Sequence, residues 1–216
     1  MTRRPGAAGA AGAAGIAGLL VVWLLAFHSS LAMAADRSVL DWLWDGLHRG
    51  RIVDLMNAVP RVSDPVPFAV CTTIILAVAI ACDRPRSALA AGAVLVGANL
   101  TTHLLKPAVG HWRDAGGGLG SASWPSGHAT ASMTLALCAI IVAPAAWRPL
   151  VAVSGLMFTL AVGFTLVAAG WHFPSDVVGG YLVAGTWTAF AVAGMWAWES
   201  RRTFEDSEVV LRSTDR

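Results

Sequence analysis

The sequence predicts an all-α protein, a six-transmembrane-helix bundle with a short interfacial helix between the first two spans. Two observations carry this. The 216 residues are 56% hydrophobic and only 13% charged, about half the charge of an ordinary soluble domain. The apolar residues are also gathered in six blocks, at about 16–35, 65–82, 87–105, 127–147, 149–170 and 177–198. Each is close to the ~20 residues that cross ~30 Å of hydrocarbon at 1.5 Å per residue. Within lipid, only a helix or a closed barrel satisfies every backbone group, and runs of this length are helical.

The first block follows Arg3, Arg4 and a low-complexity Gly/Ala stretch, 6–15, and runs into Ala32-Met33-Ala34, which resembles a signal-peptide cleavage site. The block is long enough to span, so a retained first helix is expected. Residues 1–15 are expected to form a disordered cytoplasmic N-terminus and 16–198 the membrane domain. Residues 199–216 should form a cytoplasmic tail. In the first loop, 36–63, Leu40, Leu43, Trp44 and Leu47 recur at helical spacing with Asp41, Asp45 and Arg49 between them. That pattern predicts an amphipathic helix lying in the interface, as an anchor or as a lid beside a lipid entrance. Pro144 and Pro149 punctuate the turn between the fourth and fifth blocks.

With the N-terminus inside, nine of the fifteen Lys/Arg residues are cytoplasmic and six are outside, a moderate bias for both termini inside. A net charge of +2 with scattered cations gives no basis for nucleic-acid binding. Cys71, Cys82 and Cys138 lie within apolar blocks without metal-ligand spacing and read as inert buried thiols.

Three polar clusters interrupt this apolar background: Lys106 to Asp114 after the third block, Pro125-Ser126-Gly127-His128 at the head of the fourth, and His172 to Asp176 between the fifth and sixth. In a six-span topology all three fall on one face, the outer one, and polar groups converging there mark a site. Lys106 and Arg113 suit a phosphate. Ser126 and Gly127 open a helix, where free N–H groups and the dipole favour an anion. His128 can deliver a proton. His172 and Asp176, four apart, can pair, fixing the imidazole tautomer and leaving the other nitrogen nucleophilic.

In order and spacing these clusters resemble the three signature motifs of the type 2 phosphatidic acid phosphatase family of integral membrane lipid phosphatases, over about residues 64–198. The resemblance implies a metal-independent hydrolase without cofactor, acting on a lipid phosphate or diphosphate through a phosphohistidine. Candidate substrates are polyprenyl diphosphate, phosphatidylglycerophosphate, phosphatidic acid and a prenyl-linked sugar phosphate. His172 would attack phosphorus, Asp176 would orient it, and His128 would protonate the leaving oxygen. Lys106, Arg113, Ser126 and Gly127 would hold the phosphate. One histidine must then be neutral and the other protonated, which implies a bell-shaped activity between about pH 5 and 8. The partners implied are the substrate and the surrounding membrane lipids, and the location a bacterial plasma membrane with the site facing outward. A phosphotransferase on the same fold and a catalytically impaired lipid-binding relative are the alternatives.

Two departures stand out. Asp114 replaces a proline of the first motif. Thr165-Leu166 replaces the Ser-Arg of the third, so a phosphate-gripping arginine is missing, with His111 a partial substitute if protonated. If the rest of the pocket is intact, Leu166→Arg should raise kcat/KM.

Overall fold

The computed structural model describes residues 5–47, 51–110, 113–114, 121–122 and 124–214. The chain is a helical bundle: α1 (Pro5–His28), α2 (Ser30–Leu47), α3 (Arg51–Ala58), a 3-10 turn (Pro60–Ser63), α4 (Pro65–Ala81), α5 (Pro85–Val109), α6 (Gly127–Val142), α7 (Arg148–Ala168) and α8 (Pro174–Thr214). Among the described residues, the exception to helix is an antiparallel pair of two-residue strands, β1 (Arg113–Asp114) against β2 (Ser121–Ala122).

A helix occupies each of the six apolar blocks. Four of them, α1, α5, α7 and α8 as far as Arg201, are long and apolar enough to cross a membrane alone. Residues Met56–Ser63 and Pro65–Ala81 together make a fifth candidate span, bent by 52°. The 16 residues of α6 reach only about 24 Å. These apolar helices make the chain an integral membrane protein.

The N-terminal region differs from the expected boundaries. The Gly/Ala stretch is not frayed but helical from Pro5, and its small residues are the reason. A Cβ added at Gly12 would stand 2.6 Å from the ring of Phe190 on α8, so that helix packs against the glycine backbone. Such small-residue faces allow close helix approach where lipid supplies no hydrophobic drive. The expected span 16–35 is broken at Ser29, whose hydroxyl accepts the Ala32 N–H at 3.3 Å and so caps α2. Ala32-Met33-Ala34 therefore lies inside α2. The tail is helical as far as Thr214, as a continuation of α8.

Within 36–63 the amphipathic pattern does form helix, as the second half of α2. Its apolar side is not free: Leu40 and Leu43 are buried with Met56 of α3 and with Val162, Leu166 and Val167 of α7. His48 and Arg49 lie outside the described residues. A second core joins α4, α5 and α6 through Ala79, Val94, Leu95, Leu135 and Cys138. Cys138 is buried, as expected, whereas Cys82 at the end of α4 is exposed.

Candidate active site

Three segments meet at one end of the bundle: the C-terminal end of α5, the head of α6 and the turn between α7 and α8. Each is shaped by local chemistry.

The α7–α8 turn begins at Gly170, whose φ of 72° lies in the left-handed region that favours glycine. Gly170 N–H donates to the Val167 carbonyl and Trp171 N–H to the Leu166 carbonyl, each at 2.9 Å. This pair of bonds closes a helix end around a left-handed residue. His172 N–H donates to the same Leu166 carbonyl at 3.2 Å. Pro174 then opens α8, where its missing N–H costs nothing. Asp176 reaches back: its Oδ2 accepts the Phe173 N–H at 3.0 Å and lies 3.3 Å from His172 Nδ1. The expected pairing of His172 and Asp176 is therefore present, but as part of a helix cap and not across a turn of helix, because His172 precedes α8. Asp176 is fully buried and His172 is 9% exposed.

Ser126 caps α6, its hydroxyl accepting the Ala129 N–H at 3.3 Å. Its own N–H donates to the Asp176 carbonyl at 2.9 Å, which ties the second cluster to the third. Lys106, half-buried near the end of α5, brings Nζ to 3.6 Å from where a Gly127 Cβ would stand, and it lies within electrostatic range of Asp176. Gly180 on α8 keeps these pieces together. A Cβ there would stand 2.7 Å from the Ser126 carbonyl oxygen and 2.9 Å from the Thr130 nitrogen, both backbone atoms of the α6 head. Gly180→Ala is expected to push α6 away, destabilise the protein by about 1–3 kcal/mol and lower turnover at the candidate site. A thermal melt and steady-state kinetics check it.

Of the predicted residues, Lys106, Gly127 and His128 line one cavity of about 390 Å³, together with Asp64, Asn99, Thr102 and His103. Ser126, His172 and Asp176 adjoin it through the bonds just described without lining it. Arg113 is fixed by its backbone pairing with Ala122. Its side chain, and all of His111 and Trp112, lie outside what the structure describes. An apolar groove of about 520 Å³ runs between α4, α6 and α7. Its lining on α4 and α6 begins about one turn beyond that of the cavity, at Cys71 after Phe68 and at Leu135 after Ala131.

A model of the PAP2 superfamily matches residues 66–200. The chain belongs to the PAP2 superfamily. The same fold is seen in a crystal structure from Bacillus subtilis, described as the first transmembrane PAP2 type phosphatidylglycerolphosphate phosphatase. It aligns with a TM-score of 0.71 at 19% identity, covering 85% of this chain and 94% of that one. No curated protein matches the chain at a significant level.

This PAP2 chain carries site features that the sequence did not disclose. His128 Nε2 lies 3.0 Å from Asp64 Oδ1, and its ring meets Trp171 edge-on at 5.6 Å. Asp36 of α2 accepts hydrogen bonds from the N–H and the hydroxyl of Ser175, capping α8 from another helix. Arg37 sits over the Phe173 ring at 5.3 Å. The signals were faint: an aspartate before Pro-Val-Pro, and an Asp-Arg pair within an apolar helix. Both segments lie N-terminal to the matched residues 66–200.

The expectation for Leu166 is corrected. The side chain is 0% exposed and packs with Leu40, Leu43, Met56 and Phe173. It does not line the polar cavity. Helices α2 and α3 have closed over the position, so no vacant arginine pocket awaits a replacement.

Proposed function

We propose that this protein is a membrane lipid phosphatase that hydrolyses a lipid phosphate or diphosphate through a phosphohistidine on His172. The observation that carries the proposal is the convergence of the three clusters: Lys106 over Gly127, the Ser126 N–H on the Asp176 carbonyl, and the Asp176 carboxylate beside His172 Nδ1. Engagement of Nδ1 leaves His172 Nε2 as the attacking nitrogen. Lys106, Arg113 and the N–H groups at the head of α6 hold the non-bridging oxygens, where charge accumulates. His128 protonates the leaving oxygen. The apolar groove below the polar cavity supports a lipid substrate, since a headgroup beside His128 would leave its hydrocarbon chain against α4 and α6.

The bundle is read as six spans, with α6 the short sixth and both termini inside, which puts the site at the outer face. The phosphatidylglycerolphosphate phosphatase neighbour makes a glycerophospholipid monoester the first substrate to try. Purified protein in detergent is expected to release inorganic phosphate from at least one of phosphatidylglycerophosphate, phosphatidic acid and a polyprenyl diphosphate. The rate should be unchanged by EDTA. Strict dependence on a divalent ion would reject the metal-free mechanism, and binding of every lipid without turnover would reject the enzyme.

A further inference from the structure

The head of α4 carries a carboxylate that its own helix does not use. Asp64 is the N-cap residue of α4, extended at φ −63° and ψ 157°, yet its side chain makes no capping hydrogen bond. An N-cap aspartate ordinarily accepts an N–H from the second or third residue of its helix. Here Pro65 and Pro67 occupy the first and third positions, and proline has no N–H to give. The Val66 N–H, at the second position, is not bonded by the carboxylate, and the Phe68 N–H is taken by the Asp64 backbone carbonyl at 2.9 Å. The carboxylate turns instead across to α6 and meets His128 Nε2 at 3.0 Å.

We propose that Asp64 is the positioning residue of His128, forming a second histidine–aspartate pair opposite His172 and Asp176. The two pairs use opposite ring nitrogens. His172 is held through Nδ1 and presents Nε2. His128 is held through Nε2 and presents Nδ1. Trp171 meets the His128 ring edge-on, so a carboxylate and an indole both hold it. The inference rests on the role of His128 as the acid of the proposed reaction. In the first step the bond from His172 Nε2 to phosphorus forms as the bond from phosphorus to the leaving oxygen breaks. The proton on His128 Nδ1 passes to that oxygen and leaves His128 neutral. In the second step water attacks phosphorus, the phosphorus–nitrogen bond breaks, and His128 Nδ1 takes the water proton. Phosphate departs and both histidines return to their starting states. Asp64 keeps its hydrogen bond to Nε2 throughout and exchanges no proton. Side-chain exposures of 43% for Asp64 and 29% for His128 leave the pair partly solvated, so its effect is moderate.

The test is kinetics of the full-length protein in detergent with Asp64→Asn, Asp64→Glu, His128→Ala and the double variant Asp64→Asn/His128→Ala. Phosphatidic acid supplies the poor leaving group and p-nitrophenyl phosphate the activated one. Asp64→Asn is expected to lower kcat on phosphatidic acid by about tenfold to a hundredfold, the span a positioned acid or its orienting partner typically commands. KM should change by less than about twofold, and the aryl phosphate should be nearly spared, because its leaving oxygen needs no proton. Asp64→Glu should recover part of the loss, and the double variant should be no slower than His128→Ala alone. Equal losses on both substrates, a change confined to KM, or additive losses in the double variant would overturn the inference. Should Asp64→Asn fail to give a monodisperse protein, the comparison of Asp64→Glu with wild type on the two substrates decides in the same way. A wild type that forms no acid-labile phosphoenzyme would instead sink the proposed function.

Discussion

His172→Ala is expected to abolish turnover, by about ten-thousandfold or more, and to remove the acid-labile phosphoenzyme. A covalent nucleophile has no substitute in its own step, and losing a member of a catalytic unit typically costs this much. The surroundings of His172 make the variant a clean one. Its backbone N–H and the neighbouring Trp171 N–H both bond to the Leu166 carbonyl, and Asp176 remains bonded to the Phe173 N–H. The turn that delivers position 172 therefore does not depend on the imidazole. The measurement is phosphate release from phosphatidic acid, together with trapping of radiolabelled phosphoenzyme in alkali-stable, acid-labile form. Appreciable turnover in a well-folded His172→Ala protein would remove His172 from the nucleophile's role.

Leu166→Arg is expected to yield a destabilised protein with no gain in activity. The side chain it replaces is fully buried among Leu40, Leu43, Met56 and Phe173. An arginine there adds volume to a packed core, at about 1–3 kcal/mol. It also buries a charge among apolar side chains, which costs several kcal/mol more. Together these approach the whole stability of a typical domain, about 5–15 kcal/mol. The Leu166 carbonyl receives the N–H groups of Trp171 and His172, so any shift of α7 here moves the proposed nucleophile. Leu166→Met, which nearly conserves volume, should keep most stability and activity. Detergent size exclusion, a thermal melt and kcat/KM for the three proteins make the comparison. A monodisperse Leu166→Arg protein with raised kcat/KM would restore the idea of a pocket short of one cation.

The features legible in the sequence share one physical property: they depend on residues near one another in the chain. The apolar blocks specify helices because lipid leaves the backbone few alternatives. The pairing of His172 with Asp176 follows from Gly170 as a left-handed helix stop, Pro174 as a helix start and a carboxylate two residues on, all within one turn. The Ser126 cap is equally local.

What only the tertiary structure decided depends on how helices pack. Asp64 and His128 are 64 residues apart, and Asp36 and Ser175 are 139 apart. Periodicity cannot register either pair. Gly/Ala content alone could not separate a frayed terminus from a helix fitted against Phe190. The sequence marks Leu166 as a position without an arginine. That the site is closed by α2 and α3, and is not a vacancy, is set by the burial of Leu40, Leu43 and Met56 against α7. Local chemistry determined which side chains this chain has for phosphate chemistry. Long-range packing determined which of them face one another.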